Sequence, residues 1–408
     1  MNEQTKQAPG PSGALAGLRV VELATVLAGP LCGQTLADHG ATVIKVEPPA
    51  GDQTRMSKHY VGGQPAYFSG VNRNKSCIAL DLTKARGREV VLRLLETADV
   101  LLDNFLPGTL NRWGLDYPTL APKFPRLIHC SISGFGPDGP LGGKPGYDAM
   151  GQAYCGLMSV NGNKADGGTR HGIPIVDIAS GLNAIIGILL ALNERHRSGK
   201  GQSIDVSLFD SGMGLQHPYS ANWFGSGIAP EPVGNGHPDV APYNKFRARD
   251  GDIFIGAPKD VQFRRLAQHL GHPELAEDPR FKLAYNRVEN KEVLEKLLEP
   301  IVAEYAAEEL AEALMKVQVA AAPVYSLPQA FQAPHTAHRQ MYVRVGDYQG
   351  IGIPVKLSRS PGSIRTVPRD YAADTNSVLG ELGYSAAEIA ALVEDGSVRP
   401  AGSLASGK

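Results

Sequence analysis

Residues 18–47 read LRVVELATVLAGPLCGQTLADHGATVIKVE. Two runs in this stretch, at residues 19–23 and 41–46, are short and rich in β-branched side chains, which is typical of strands. Residues 30–39, between them, have the apolar spacing of a helix. A strand, a helix and a second strand in this order form a unit whose strands lie parallel in one sheet. This stretch therefore predicts an α/β fold.

The same alternation continues for another 80 residues or so. Further strands are predicted at 76–80, 100–103 and 127–131, and a helix at 84–97. Because repeated units of this kind place helices on both faces of a parallel sheet, we predict a doubly wound large domain. Ligands bind such sheets at the carboxyl ends of the strands. The turn at 27–33 lacks the GxGxxG spacing, which disfavours a dinucleotide cofactor.

The length of 408 residues exceeds what one hydrophobic core usually organises, so we expect two domains. The amino-acid composition changes after the strands and helices of the large domain. The chain becomes rich in Gly, Pro and aromatic residues before a small α/β domain. The predicted division is a disordered lead-in at 1–16, the first part of the large domain at 17–215, a linker with a glycine loop at 216–244, the small domain at 245–328, a C-terminal part at 329–400, and a tail at 401–408.

Charge and cysteine usage exclude several classes of protein. The 40 Lys and Arg nearly cancel the 41 Asp and Glu, so no global positive field would recruit nucleic acid or anionic lipid. The most apolar run, residues 184–192, is too short to span a bilayer, and we interpret it as a buried core helix. The four cysteines show no CxxC spacing, which argues against a zinc site or redox pair and fits a reducing cytoplasm.

Asp177 stands in the run PIVDIASG at residues 174–181, just ahead of an apolar helix predicted at 178–196. Aspartate is among the best N-cap residues, so the local pattern favours a structural cap. A carboxylate at a helix N-terminus is also a candidate nucleophile, because the free N–H groups and the helix dipole hold anions there. The two roles are compatible, and the local residues leave both open.

Three other segments combine residues that could bind a ligand. Residues 104–108, followed by Arg112, offer an amide, an aromatic face and a guanidinium to a nucleotide-like ligand, or form a simple Pro–Gly turn. Residues 144–148 join a cation, a phenol and a carboxylate, or merely begin a helix. Residues 234–238 could be a lid with N–H groups for an oxyanion, or a mobile connection.

Motifs of metal and nucleotide chemistry are missing from the sequence. There is no GxSxG elbow, no Walker A loop and no HExxH motif. His335 and His338 have an i,i+3 spacing that could face one metal ion, but no carboxylate accompanies them. We therefore predict no metal site.

Short motifs run in a fixed order through nearly the whole chain. They are LRVVEL at 18–23, LAGP at 27–30, ATVIKVE at 41–47, NRNKS at 72–76, DNFLPG at 103–108, GYD at 146–148, RSGKGQ at 197–202 and GNGHP at 234–238. In these motifs the chain resembles the family III CoA-transferases, the group that includes formyl-CoA transferase and carnitine CoA-transferase. The resemblance implies an interlocked homodimer, in which the C-terminal part at 329–400 returns to the large domain. It also implies an aspartate nucleophile at Asp177, so the nucleophile interpretation takes precedence over the cap.

The resemblance also implies where substrate contacts lie. It places CoA contacts at Val26, Ala28, Leu80, Asn104, Phe105, Arg112 and Lys144, the last offset by one residue from the family's lysine, and it places Tyr147 and Asp148 beside the thioester. Pro48 stands where the family has an arginine for the adenine end. We expect the N–H groups of Gly234 and Gly236 to stabilise oxyanions. We expect Arg170, His171 and His237 to receive the distal carboxylate of a small dicarboxylate.

The expected reaction moves CoA from an acyl-CoA donor, preferably succinyl-CoA, to a free carboxylic acid through an aspartyl anhydride and an aspartyl-CoA thioester. A carboxylate with a reference pKa of about 3.9 is ionised at neutral pH and needs no general base. The substrates are CoA thioesters, and exchange of one thioester for another requires no metal, ATP or redox cofactor.

Two alternatives remain open on the sequence. Racemases of 2-methylacyl-CoA with the same fold carry a histidine where this chain has Tyr147, and tyrosine, with a pKa of about 10, is a poor base at neutral pH. A non-catalytic CoA-binding protein of this fold could retain Asp177 as a helix cap.

Overall fold

A six-stranded parallel sheet organises the larger of two compact units in a computed structural model that describes residues 13–402 and 404. This unit contains the described residues up to Leu157, His171–His217 and the described residues from His335 onward. The strands of the sheet are β1 Arg19–Glu22, β2 Thr42–Glu47, β5 Lys75–Ala79, β6 Val100–Asp103, β7 Ile128–Ser133 and β8 Ser203–Ser207, and two short strands, β3 Tyr60–Val61 and β4 Gln64–Pro65, pair separately. The α/β fold with a large parallel sheet, predicted from the sequence, is confirmed.

The strands lie in the order β5-β2-β1-β6-β7-β8. Val20 of β1 pairs with Val43 on one side and with Val100 on the other, both in parallel register. Strands β2 and β5 are therefore added on one side of β1, and strands β6, β7 and β8 are added on the other side. The point between β1 and β6 where the order reverses is where sheets of this kind bind ligands.

Helices cover both faces of the sheet. The helices of this unit are α1 Ala28–Asp38, α2 Ala66–Gly70, α3 Ala85–Leu95, α4 Thr109–Trp113, α5 Tyr117–Leu120, α6 Asp148–Tyr154, α8 Ile175–Ser198, α9 Leu208–Gly214, α18 Thr375–Glu381 and α19 Ala386–Glu394. Val20 belongs to a core with α1 and α8, whereas its neighbour Val21 belongs to a second core with α3, α18 and α19. Because successive strand residues point to opposite faces, adjacent apolar residues fill both cores.

Helix α8 is buried along one face only. Ala184, Ile188 and Ala191 are buried against the sheet and α1, but Ile186 and Leu190 on the opposite face are exposed. The helix predicted at residues 184–192 as a buried core helix thus buries one face in the single chain and leaves the opposite face exposed. Among the described residues, α8 is also the one helix that is long and apolar enough to cross a membrane, judged by length and composition alone.

The end of the chain joins the large sheet. The backbone N–H of Cys77 in β5 donates to the Asp374 carboxylate at 2.8 Å, and Leu80 forms an isolated antiparallel bridge with Val398. Arg365 donates from Nη2 to the carbonyl of Ala37 at 2.9 Å. These contacts attach the last 70 or so residues to a sheet formed by the first 210. A hairpin of β12 Tyr342–Val345 and β13 Tyr348–Ile351 lies within this C-terminal segment.

The second unit comprises Met158–Arg170 and Pro218–Pro334. Its antiparallel sheet has the order β11-β10-β9, with β9 Tyr243–Arg247, β10 Asp252–Gly256 and β11 Ala320–Pro323. Its helices are α10 Tyr219–Ser226, α11 Asp260–His269, α12 Glu274–Glu277, α13 Ala284–Glu289, α14 Lys291–Val302, α15 Ala307–Lys316 and α16 Leu327–Gln332, and two further helices, α7 Leu157–Val160 and α17 Pro334–His338, lie at the unit boundaries. Phe263, Leu294 and Leu310 fill its core.

The domain limits predicted from composition stay a prediction. The predicted lead-in falls mostly on residues 1–12, and the predicted tail falls mostly on residues 403 and 405–408, which lie outside the described residues.

Gly181 permits the close approach of α8 to α1. A Cβ atom at this position would lie 2.8 Å from the carbonyl oxygen of Ala28 and 3.2 Å from Leu31 Cδ2. A backbone carbonyl cannot move without moving α1, so we expect Gly181→Ala to lower the free energy of unfolding by about 1–3 kcal/mol. Gly380→Ala is the matched control, because this exposed glycine of α18 has open space around it and gains about 0.5–1 kcal/mol from the helix propensity of alanine. Thermal and urea unfolding would measure both, and equal behaviour of the two variants would contradict this account.

Candidate active site

Helix α8 begins earlier than the sequence predicts, and this changes the role of Asp177. The helix starts at Ile175, the N-cap position is Pro174, and Asp177 is the third helical residue. Pro174 has no side-chain cap, so the interpretation of Asp177 as the N-cap is wrong. The Asp177 carboxylate remains close to the N-terminal end of an apolar helix without serving as its cap.

Asp148 provides the cap from another helix. Its Oδ1 accepts from the backbone N–H of Val176 at 2.9 Å and of Asp177 at 3.3 Å. Its Oδ2 accepts from Gln152 Nε2 at 2.6 Å, and Gln152 Oε1 accepts from the backbone N–H of His171 at 2.8 Å. Asp148 is buried, so these bonds replace the water that it would otherwise bind. The carboxylate predicted to lie beside the thioester thus fixes the start of the helix that carries Asp177.

Two carboxylates at one helix end affect the charge of Asp177. Burial, and to a lesser extent the nearby Asp148 carboxylate, together raise the pKa of Asp177 to about 7. A pKa raised toward neutrality runs against the expectation of a fully ionised Asp177, because the protonated form is then populated near pH 7. A carboxylate that is poorly solvated is also a stronger base and nucleophile once ionised.

A cavity of about 240 Å³ lies beside Asp177 at the carboxyl ends of the strands. The turn after β1, the turn after β6 and the end of β7 supply most of its wall, which places it where the strand order reverses. The lining residues are Thr25, Val26, Leu27, Ala28, Gln53, Asn104, Phe105, Leu106, Pro107, Ile132, Ser133, Gly134, Pro145, Gly146, Tyr147, Asp177 and Leu208. Six predicted site residues are among them, namely Val26, Ala28, Asn104, Phe105, Tyr147 and Asp177.

The side chain of Asn104 joins the two turns that line the cavity. Its Oδ1 accepts from the backbone N–H of Thr25 at 2.9 Å, and its Nδ2 donates to the carbonyl of Thr25 at 2.7 Å. The predicted ligand amide is therefore already bonded to protein, and Asn104 shapes the cavity wall. Phe105, next to it, packs edge-to-face on Trp113 with ring centroids 5.4 Å apart.

Other predicted CoA contacts lie outside the cavity wall. Leu80 is buried in the core with α3, α18 and α19. Arg112 is exposed on α4, where it donates to Thr109 Oγ1 at 3.3 Å, and Lys144 is exposed in the loop before α6. The structure does not gather these three residues around one ligand-sized space, and their contacts with CoA stay a prediction.

The predicted glycine loop belongs to the second unit. The backbone N–H of Gly234 donates to the carbonyl of Gly162 at 2.8 Å, and that of Gly236 donates to the carbonyl of Val233 at 3.1 Å. His237 Nδ1 accepts from the backbone N–H of Asp239 at 3.0 Å. Both predicted oxyanion donors thus already bond to backbone carbonyls, so they would have to exchange these partners before binding an oxyanion.

Tyr67 is a candidate site residue that the sequence did not reveal. This tyrosine of α2 is 45% exposed, and its pKa is raised by partial desolvation and then by the charges of Asp177 and Asp148. The electrostatic coupling places the phenol in the neighbourhood of the candidate nucleophile. Residues 57–67 have no clear strand or helix period, so no signal in the sequence pointed to Tyr67.

No group of three or more His, Cys, Asp or Glu side chains suited to a metal ion occurs within residues 13–402 and 404. The predicted pair His335 and His338 stacks with ring centroids 6.2 Å apart.

Comparison with known proteins covers nearly the whole chain. A family model described as CoA-transferase family III matches residues 15–375. The chain is 40% identical to the acetyl-CoA:oxalate CoA-transferase of Acetobacter aceti, over 85% of this chain and 90% of that protein. It is 38% identical to the succinyl-CoA--D-citramalate CoA-transferase of Chloroflexus aurantiacus, over 87% of this chain and 90% of that protein. A CAIB/BAIF family protein from Brucella suis, known from its crystal structure, matches with a TM-score of 0.83 and 38% identity over 91% of this chain and 100% of that chain.

The raised pKa of Asp177 predicts a cost in stability that depends on pH. The folded protein holds this proton more tightly than the unfolded chain, so wild-type stability falls as the pH rises from about 4 to about 7. Asp177→Asn removes the charge, and we expect its Tm to exceed that of the wild type by about 2–4 °C at pH 8. The difference should vanish near pH 4, where both side chains are neutral. Asp347→Asn, at an exposed aspartate between β12 and β13, is the control and should follow the wild type at every pH. A Tm of Asp177→Asn at or below that of the wild type at pH 8 would refute the assignment.

Proposed function

The chain belongs to the family III CoA-transferases and is an enzyme that transfers CoA, and from this premise we propose that it moves CoA from an acyl-CoA to a free carboxylic acid through covalent intermediates on Asp177. The observation that supports this role most directly is the half-buried Asp177 carboxylate, which lines a cavity where the strand order of the sheet reverses. The buried partner Asp148 fixes the helix end that presents it.

The first half of the reaction replaces the donor acid by the enzyme. An ionised Asp177 oxygen attacks the thioester carbonyl, the C–S bond breaks, and a CoA thiolate leaves an aspartyl–acyl anhydride. Thiols of this kind have a pKa of about 8.5, so the thiolate is a workable leaving group. The thiolate then attacks Cγ of Asp177, the anhydride C–O bond breaks, and the donor leaves as a carboxylate. The product is an aspartyl-CoA thioester.

The second half repeats these steps in reverse. The acceptor carboxylate attacks Cγ of Asp177 and expels the thiolate, which forms a second anhydride. The thiolate attacks the acceptor carbonyl, and the new acyl-CoA leaves with Asp177 restored as a carboxylate. Every bond that breaks is replaced by one of the same class, so the exchange requires no external energy source. No general base is needed, because the carboxylates and the thiolate that attack in these steps carry no proton to lose.

The cavity wall supplies the proposed seat for the reacting end of CoA. Val26 and Ala28 on one side, and Phe105 on the other, offer the apolar and backbone surface for the pantetheine arm. Arg112 and Lys144 are exposed cations that suit the phosphates, where guanidinium and ammonium groups bind best. Pro48 supplies no guanidinium for the adenine end, so we propose that affinity depends on the other contacts.

Succinyl-CoA is the proposed donor, with a small dicarboxylate as the acceptor. The relative from Chloroflexus aurantiacus is named for succinyl-CoA, and that from Acetobacter aceti is named for oxalate. Arg170, His171 and His237 stay the proposed partners of a distal carboxylate. The names of these relatives support transfer, and neither supports a racemase or a non-catalytic binding protein.

Acyl exchange through Asp177 can be tested by mass spectrometry. We expect wild type incubated with succinyl-CoA and a panel of carboxylic acids to form new acyl-CoA species, and Asp177→Ala to lose at least about 10³-fold in rate because no other group replaces the nucleophile. Hydroxylamine added before the acceptor should trap the activated Asp177 as a hydroxamate on its peptide. Asp205→Asn, at another carboxylate whose pKa burial raises, is the control and should retain activity. Substantial turnover by Asp177→Ala would refute the covalent route, and α-proton exchange in deuterated water without acyl exchange would indicate a racemase.

A homodimer is the proposed assembly. Leu182, Ile186, Leu189 and Leu190 form an apolar stripe along the solvent face of α8, and all four are exposed in a single chain. A continuous stripe of this kind usually marks an interface. We propose that a second copy covers this stripe.

We also propose a cytoplasmic location, because all four cysteines are buried and unpaired. Cell fractionation would check this location. The absence of nucleic-acid and membrane partners stays a prediction from the net charge of −1.

Sedimentation velocity tests the dimer. Wild type should sediment with twice the mass of one chain, and Leu190→Asp should shift the population toward monomer, because a charge buried in an apolar interface is costly. Ser198→Asp, at the exposed end of the same helix, is the control and should leave the mass unchanged. A monomeric wild type at micromolar concentration would refute the proposal.

A further inference from the structure

Val26 adopts a backbone conformation that its side chain disfavours. Its φ angle is +70°, in the left-handed region that glycine adopts freely and that a β-branched residue almost never adopts. Among the described non-glycine residues with positive φ, Val26 alone is β-branched, and it lines the cavity beside Asp177. Strain of this kind persists only where the surroundings enforce it, and it concentrates at functional sites.

The side chain of Asp52 enforces this conformation. Its Oδ1 and Oδ2 both lie 3.3 Å from the backbone nitrogen of Val26, which donates to them. Asp52 is fully buried and pairs with Lys45 Nζ at 3.0 Å, and its Oδ1 also accepts from the backbone N–H and the hydroxyl of Thr54. Burial alone would raise the pKa of Asp52, but Lys45 and Thr54 outweigh it and lower the pKa. Asp52 therefore stays charged and fixed in orientation.

The turn is thus held at two consecutive residues from two separate directions. Asn104 holds Thr25 by two hydrogen bonds, and Asp52 holds Val26. The turn supplies Thr25, Val26, Leu27 and Ala28 to the cavity wall. If only the chain path mattered, glycine at position 26 would follow it without strain. A valine side chain held there against its own preference indicates that the wall itself needs the methyl groups and this exact backbone path.

We propose that Asp52 is a positioning residue for acyl-CoA: by accepting the Val26 N–H, it holds the Thr25–Ala28 turn in the shape that the bound thioester contacts. This inference rests on the proposed function, because the ligand of the cavity is taken to be the CoA thioester. Asp52 itself does not line the cavity, so it acts through Val26. The inference predicts an effect on binding that depends on which residue stands at position 26.

A substitution cycle at positions 52 and 26 tests this dependence. Asp52→Asn keeps the shape of the side chain but removes its charge and one acceptor oxygen. We expect Asp52→Asn to raise the KM for acyl-CoA, and the Kd for free CoA by titration calorimetry, about 10-fold, with kcat changed less than about 3-fold. In a Val26→Gly background, Asp52→Asn should raise the KM and the Kd less than about 3-fold, since glycine adopts positive φ unaided. In a Val26→Ala background most of the effect of about 10-fold should return, because alanine keeps the Cβ atom that disfavours positive φ and does not adopt it as freely as glycine.

Circular dichroism and thermal unfolding establish that each variant is folded. Should Asp52→Asn not fold, Thr54→Val replaces it, because loss of one hydroxyl donor loosens Asp52 without uncharging it. That variant should raise KM and Kd about 3-fold, and again much less in the Val26→Gly background.

The outcomes separate this inference from the proposed function. CoA binding that is unchanged by Asp52→Asn, or weakened equally in the glycine and alanine backgrounds, would overturn the positioning role alone. Tight CoA binding by wild type without acyl exchange would overturn the proposed transfer while the calorimetric cycle still decides the role of Asp52. Failure of wild type to bind CoA would overturn both.

Discussion

A single buried glutamate, Glu22, holds two buried lysines at the centre of the parallel sheet. Its carboxylate lies 3.1 Å from Lys45 Nζ and 2.8 Å from Lys75 Nζ, and all three side chains are inaccessible to solvent. Burying charges costs several kcal/mol for each ion unless every one is paired and hydrogen-bonded. Lys45 meets this requirement with Asp52 and the carbonyl of Ala24, and Lys75 meets it with Asn72 and the carbonyl of Pro30. The need to satisfy these charges therefore fixes the chain on both sides of the turn after β1.

The candidate site follows from this arrangement. Asp52, bound to Lys45, holds Val26, while the carbonyl of Pro30, bound to Lys75, holds the first turn of α1. Helix α1 must pass very close to Glu22, since a Cβ atom at Gly33 would lie 1.8 Å from Glu22 Oε2. Gly181 in turn lets α8 approach α1, which brings Asp177 to the same cavity wall. The position of the candidate nucleophile Asp177 thus depends on a series of contacts that begins with the buried carboxylate of Glu22.

The carboxylates of Asp148 and Asp177 determine the chemistry of the site. Asp148 stabilises the start of α8 by accepting two backbone N–H groups, yet its charge opposes ionisation of Asp177. The folded protein keeps a poorly solvated, weakly acidic carboxylate where a nucleophile is needed, at the expense of stability above neutral pH. The helix dipole favours the anion at this position, whereas burial and the neighbouring Asp148 carboxylate oppose it and raise the pKa of Asp177.

The sequence by itself determined the parallel α/β sheet, because strands buried on both faces leave apolar runs such as those of residues 19–23 and 41–46. The predicted limits of these strands lay within two residues of the observed ones. Its ordered motifs also determined the family and singled out Asp177, because they lie at strand ends and helix starts, where local spacing records ligand chemistry. Only the tertiary structure decided that Asp148 and not Asp177 caps α8, that burial raises the pKa of Asp177, and that Asn104 bonds to Thr25. It also decided that Asp52 holds Val26 and that the charges of Asp177 and Asp148 act on Tyr67. Each of these depends on contacts between residues about 25 to 110 positions apart, and on the loss of water around them, which no local pattern of residue types records.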